Sequence, residues 1–292
     1  MSQTFRKILG FLKILRPINC LMMGFAVILG ELITLKGNLL LLPSFLGFVT
    51  AFTLTGSSMS LNDYFDRWVD AVNEPTRPIP SGLIKAWEAL LYAFILAFVG
   101  LFSAVILGLN LQSLGFAAPI VAGLSFLLSV YYNAKGKTYG FLGNLMVSGC
   151  VAVPFIYGAF MVGFVPPPIL LIFASMAFLS NTGREIIKGI ADVEGDKIRN
   201  IQTLAIKLNL KKAAYVAMVF YMLAVGFIVL PPILGMVSFW YLPFIAVASS
   251  GFLVTAYLTI KNVSPENAKK MKKWSLVWMF FGLLAFMFGS LT

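Results

Sequence analysis

The 292-residue chain has eleven carboxylates and no histidine. Eight of the eleven fall in two runs, Asp63, Asp66, Asp70 and Glu74, then Glu185, Asp192, Glu194 and Asp196. Asn62, Asp66 and Asp70 are spaced four residues apart, so on a helix they form one stripe with a turn between each side chain and the next. Asp192 and Asp196 repeat that spacing. Carboxylates stacked this way repel one another unless a cation lies between them. Oxygen ligands without His or Cys suit Mg²⁺, which is held by one or two carboxylates together with substrate phosphates. A diphosphate would also need bases, and Arg77, Lys135, Lys137, Arg184 and Lys188 lie close to the two runs. The lack of His excludes His-ligated haem, His-containing zinc sites and a Ser-His-Asp triad. Cys20 and Cys150 lie within apolar stretches and build no CxxC site.

The elements that must position these groups are membrane helices. Hydrophobic residues make up 60% of the chain and charged residues 11%, and the mean hydropathy is +0.92. A soluble domain carries roughly 25% charged residues. Apolar runs predict an all-α, polytopic membrane protein of nine transmembrane helices in one bundle, spanning a single domain over residues 1–292. The predicted spans are Ile18–Leu35, Leu39–Leu61, Ala86–Leu109, Leu114–Tyr132, Phe141–Phe164, Ile169–Ile190, Ala213–Leu230, Val237–Ile260 and Trp274–Leu291. Pro166 to Pro168, Pro231-Pro232 and the stretch from Gly108 to Gly115 mark turns. Pro119 and Pro154 fall inside spans and are expected to kink them. The basic start followed by an apolar run has the look of a signal peptide, but it lacks a small-x-small cleavage site and reads as a retained first span.

The bases sort by side. Of 22 Lys and Arg, 21 lie before the first span or at the ends of the even-numbered ones, and Lys36 alone lies on the other face. Cytoplasmic loops are rich in Lys and Arg, so the N-terminus and both acid runs are expected at the cytoplasmic face of a cell membrane. The net charge of +11 sits next to spans, which favours anionic headgroups and substrates over nucleic acid. Within residues 1–16, Phe5, Ile8, Leu9, Leu12 and Leu15 share a face with bases between them, as in an interfacial helix. An offset of 130 maps Asn62 onto Asp192, Asp66 onto Asp196 and Cys20 onto Cys150, which suggests a parallel four-helix repeat with a ninth helix appended. Two other readings of the acids are solvated loop charges, common at helix ends, and the ion site of a cation-coupled transporter. Transporter acids usually lie near the bilayer midplane, whereas these lie at the ends of spans.

The run from Asn62 through Asp70, with Asn73 to Gly82 after it, resembles the first aspartate-rich motif of the UbiA superfamily of intramembrane prenyltransferases. Arg184 to Lys188, followed by Asp192 to Asp196, resembles the second, and Arg16-Pro17-x-Asn19 and Lys135 to Asn144 extend the likeness. The resemblance implies that Asn62, Asp66, Asp70, Asp192 and Asp196 hold Mg²⁺ and diphosphate, with Asp66, Asp70, Asp192 and Asp196 catalytic. It implies that Arg77, Lys135, Lys137, Lys188 and Tyr139 bind substrate. Arg16, at the start of the first span on the same face, is a candidate for the acceptor's phosphate, with a headgroup anchor as the alternative. Gly189 departs from the many relatives that carry an acid there, with Glu194 near enough in sequence to stand in. The Pro-Ile-Pro-Ser-Gly run is similar to that of chlorophyll synthases and of archaeal members alike, and Thr203-Leu204-Ala205 with the compact length resembles the archaeal ones, which implies transfer from geranylgeranyl diphosphate to the hydroxyl of a prenylated glycerol phosphate lipid acceptor. An aromatic or tetrapyrrole acceptor is the alternative within the family. Phe or Tyr rings would face the allylic cation, and composition does not say which.

Overall fold

The computed structural model describes residues 3–110, 116–198 and 201–290, and among these the regular structure is entirely helical. Nine helices are long and apolar enough to cross a membrane, as the hydropathy predicts. They are α2 (Pro17–Thr34), α3 (Leu41–Asn73), α4 (Ala86–Leu109), α5 (Ala117–Ala134), α6 (Phe141–Phe160), α7 (Pro168–Ala191), α10 (Leu210–Phe227, extended by the single turn α11, Leu230–Ile233), α12 (Tyr241–Lys261) and α13 (Pro265–Gly289). The amphipathic α1 (Gln3–Leu15) precedes them, and the short helices α8 (Val193–Ile198) and α9 (Leu204–Leu208) follow α7. The protein is a multi-pass membrane protein. Leu114 and Leu291, which begin and end two predicted spans, lie outside the described residues, as does part of the stretch from Gly108 to Gly115.

Two helices run well past their apolar segments. α3 continues for about three turns beyond Leu61 and carries the first acid motif with it. α13 starts nine residues before Trp274, in a Lys-rich segment that hydropathy passes over. Its start is set by Ser264, whose side chain accepts from the Asn267 N–H, and by Pro265 at the first helical position. Pro154 lies inside α6 as expected. Pro119 does not lie in a helix interior: it occupies the first turn of α5, where no intrahelical N–H bond is lost, so the expected kink has no cause there.

Packing follows membrane rules. α4 buries Ala89, Ala93, Ala97, Gly100 and Ala104 against the bundle while Phe94, Phe98, Phe102 and Leu109 stay exposed for lipid. Small residues on the inner stripe let helix backbones approach closely. A close backbone approach joins α2 to α6: a Cβ added to Gly158 would lie 2.3 Å from the Val27 carbonyl oxygen, and one added to Gly30 would lie 2.3 Å from that of Phe155. These glycines set the spacing of the first helix in each half of the chain. Gly158→Val is therefore expected to separate α2 from α6 at a cost of about 1–3 kcal/mol, typical of overpacking. The measurement is the melting temperature of the detergent-purified protein, which should fall clearly for Gly158→Val and little for the lipid-side Phe98→Leu.

On α1, Phe5, Ile8, Leu9 and Leu12 are exposed as the amphipathic pattern expects, but Leu15 turns inward and is 6% exposed. It packs where a Cβ on Gly56 of α3 would stand. The chain then turns through Arg16, which has a left-handed φ of 53° just before Pro17. That conformation is unfavourable for a residue preceding proline. It is held by the Arg16 guanidinium donating to Asp63 Oδ1 at 2.6 Å.

Candidate active site

One cavity of about 400 Å³ opens among the helices. A single face of α3 lines it from Thr50 through Leu54, Ser58, Asn62 and Asp66 to Asp70, and matching faces of α5 and α6 lie opposite. From Thr50 to Asp66 is sixteen residues, about 24 Å of helix. The lining is graded. Acids, amides and bases crowd one end, Ser and Thr the middle, and Val, Leu, Ala and Phe the other. α7 and α13 contribute mainly at the charged end, through Glu185, Lys188 and Lys272 among others. A second, apolar void of about 60 Å³ shares Met22, Met23, Val151 and Met279 with the first.

The charged end is a lattice of opposite charges drawn from six parts of the chain. Lys137 donates to Asp66 Oδ2 at 2.7 Å from the 3₁₀ turn Gly136–Tyr139. Arg77 reaches Asp70 at 2.7 Å, Glu74 at 2.9 Å and Asp63 at 3.5 Å. On the facing side Glu185 pairs with Arg184 at 2.9 Å and Lys188 at 3.2 Å, while Lys272 of α13 pairs with Asp192 at 3.2 Å. Asn62 lies against Asn133 of α5 at 3.1 Å, with Asp66 and Lys137 beside it. Burial acts to raise the pKa of Glu74, but the hydrogen bond and charge of Arg77, with Lys272 and Arg16 behind it, outweigh this and hold the carboxyl below its ordinary value.

Among the described residues no three carboxylates stand close enough to share an ion. Asp66, Asp70 and Asp192 each meet a base instead. The donor set fits a hard divalent cation all the same, because the motif acids present only oxygen and converge on one polar cavity end. Arg184 points the same way: the residue lines this end of the cavity, and its buried Nε has no hydrogen-bond partner among the described residues, an unspent donor beside a site for an anion.

The UbiA prenyltransferase family matches the chain over residues 22–284. The chain belongs to the UbiA prenyltransferase family. It is accordingly a membrane prenyltransferase. It is 35% identical to the digeranylgeranylglyceryl phosphate synthase of Methanosarcina barkeri, with 96% of this chain and 97% of that protein covered. A solved structure described as that of a digeranylgeranylglyceryl phosphate synthase superposes with a TM-score of 0.73 at 33% identity, covering 98% of this chain and 99% of that one. A UbiA homolog from Archaeoglobus fulgidus, bound to GPP and Mg²⁺, shares the fold with a TM-score of 0.59 at 18% identity, over 95% and 99% of the two chains.

The UbiA enzyme brings most of the sequence candidates to this cavity. Asn62, Asp66, Asp70, Asp192, Asp196, Arg16, Arg77, Lys137 and Lys188 all line it. Lys135 and Tyr139 do not. Both are exposed, and the Tyr139 hydroxyl is 2.9 Å from that of Tyr131 on the outer side. A 3₁₀ turn advances about 120° per residue, so positions 135, 137 and 139 point in three directions and only Lys137 faces inward. Glu194, the residue expected to stand in for the missing acid at Gly189, is exposed and turned away from the cavity.

Among the lining residues of this UbiA site that went unselected in the sequence are Lys272, Asn133, Asn181 and Tyr132. Lys272 sits eighty residues from Asp192. Asn133 binds Asn62 and also donates to the Ser58 carbonyl at 3.3 Å, which ties α5 to α3. Asn181 donates to Ser148 at 3.1 Å, tying α7 to α6. Tyr132, 8% exposed, lies between the two motifs, with Asp66, Glu185, Lys188 and Asp196 as its charged neighbours and the Lys137 amine 5.6 Å from its ring centre. Gly140 closes the turn that aims Lys137. Its φ is +61°, and a Cβ there would lie 2.0 Å from the Gln202 carbonyl oxygen just beyond the second motif.

Proposed function

We propose that the protein transfers a geranylgeranyl group from its diphosphate to the hydroxyl of a prenylated glycerol phosphate, a step of ether-lipid synthesis, in a Mg²⁺-dependent reaction at the cytoplasmic face of the cell membrane. The observation that carries this reading is the single graded cavity. Its charged end suits a diphosphate and its apolar arm suits an isoprenoid chain. The acceptor follows from the relatives named digeranylgeranylglyceryl phosphate synthase at 32–36% identity over nearly the whole length. The sidedness follows from the partition of bases, and α1 with its exposed apolar face suits an interfacial position.

Asn62, Asp66, Asp70, Asp192 and Asp196 would hold the metal, which when bound supplies positive charge for the departing diphosphate. The chain's own part is orientation and charge. Lys137 and Lys188 move from carboxylate to diphosphate oxygens, Arg184 offers its free Nε, and Arg77 keeps Asp70 and Glu74 in place. As the carbon–oxygen bond to diphosphate lengthens, positive charge grows on the allylic carbon, the acceptor hydroxyl oxygen bonds to that carbon, and its proton passes to an oxygen of the departing diphosphate. The Tyr132 ring, between the two motifs, is placed to face that charge. The apolar walls from Leu54 inward exclude the water that would capture it.

Tyr132→Ala is thus expected to lower kcat about tenfold or more, since a desolvated cation–π contact is worth about 2 kcal/mol, while Tyr132→Phe stays within a few-fold. Steady-state kinetics at saturating donor check this, and equal losses in the two variants would assign the effect to the hydroxyl. The acceptor is tested by offering purified protein labelled geranylgeranyl diphosphate with geranylgeranylglyceryl phosphate, an aromatic acid or a tetrapyrrole. Product with the glycerol phosphate alone supports the reading, and product with either of the others overturns it.

A further inference from the structure

The apolar arm of the cavity has a closed end. Its walls are the inner faces of α2, α3, α5 and α6, represented there by Val27, Thr50, Ala51, Ala122, Val153 and Tyr157. Tyr157 is 3% exposed and belongs to a packed cluster with Val27, Leu107 and Met161, which are 0–2% exposed. The second, apolar void meets the cavity at Met22, Met23, Val151 and Met279 and does not border Tyr157. Thr50 donates its hydroxyl to the Leu46 carbonyl at 2.8 Å, which leaves the buried Tyr157 hydroxyl, without a hydrogen-bond partner among the described residues, as the polar group of this end.

The length of the arm is fixed by rigid elements. Along α3 the lining face from Asp66 to Thr50 measures about 24 Å, and along α6 from Asn144 to Tyr157, thirteen residues, about 20 Å. A geranylgeranyl chain has sixteen carbons in its main line. At about 1.2–1.3 Å of advance per C–C bond of about 1.5 Å it extends about 19 Å. With its diphosphate at the acid motifs, its far end reaches the level of Tyr157. A chain one isoprene unit longer meets the ring.

On this basis, and resting on the reading of the cavity as a prenyl diphosphate site, we propose that Tyr157 is the floor that sets the longest prenyl donor the enzyme accepts. Ala51 and Ala122 keep the arm wide enough just above that floor. A larger side chain at either position would raise the floor and select a shorter donor. In an apolar pocket a single methylene changes selection by about 10- to 200-fold, so a change of one ring or one isoprene unit should be plainly readable.

The test uses the full-length protein in detergent or nanodiscs with Mg²⁺ and geranylgeranylglyceryl phosphate. kcat/KM is measured for the C10, C15, C20 and C25 prenyl diphosphates. The unsubstituted protein should prefer C20 over C25. Tyr157→Ala should raise the C25-to-C20 ratio at least tenfold, and Ala51→Phe, which fills the arm from the opposite wall, should raise the C15-to-C20 ratio by a similar factor. Ala51→Phe keeps the test decisive if Tyr157→Ala does not fold. Product formation with an unshifted length profile in the folded variants overturns the floor and leaves the function reading standing. A lack of product with every donor in the unsubstituted protein overturns both.

Discussion

Asp66→Ala and Asp196→Ala are each expected to lower prenyl transfer by about 100- to 1000-fold, the scale seen when one preorganised group that stabilises transition-state charge is removed. Both side chains line the charged end of the cavity, one on each side. Solvated loop acids would be nearly silent when changed, and a transporter's acids would affect ion flux instead. The variants should remain folded, since both groups face an open cavity and neither is part of the apolar packing. EDTA should reproduce the loss in the unsubstituted protein and excess Mg²⁺ should restore it. Normal turnover in both folded variants would return the acids to a structural role. The measurement is initial rate alongside a melting curve, so that loss of activity and loss of fold are separated.

The second large effect separates two lysines that the sequence leaves equivalent. Lys137 lies in the cavity and donates to Asp66, whereas Lys135, two residues earlier, is exposed. If Lys137 transfers its hydrogen bonds to the diphosphate, Lys137→Ala removes a charge-assisted contact worth about 1.5–3 kcal/mol, or about 10- to 100-fold at 1.4 kcal/mol per decade. Lys135→Ala should change donor KM less than twofold. Donor dependence at saturating Mg²⁺ gives the comparison. Equal, small effects at both positions would leave the diphosphate to Arg184, Lys188 and Lys272.

These two lysines also show where sequence reasoning stops. The acid motifs are legible because a four-residue spacing on a helix fixes which side chains share a stripe, and α3 runs on through Asp66 and Asp70 as that spacing requires. The nine spans are legible because lipid demands long apolar helices. The direction of Lys135, Lys137 and Tyr139 depends on a single 3₁₀ turn, which no periodicity announces. Lys272 is hidden for a different reason. It lies in a charged segment that hydropathy reads as loop, and its meeting with Asp192 is a tertiary pairing of α13 with the end of α7. Tyr132 is one of ten tyrosines beside 27 phenylalanines, and only the packing of α5 between the motifs distinguishes it. Gly30 and Gly158, likewise, acquire their meaning from a contact between two helices far apart in sequence.

The most direct test is a mass measurement. Purified protein in nanodiscs receives Mg²⁺, labelled geranylgeranyl diphosphate and geranylgeranylglyceryl phosphate, and the lipid product and released diphosphate are quantified together. The predicted result is a glycerol phosphate carrying two geranylgeranyl chains, formed one for one with diphosphate. Release of geranylgeraniol with no two-chain product, or no turnover of the diphosphate at all, would contradict prenyl transfer to this acceptor.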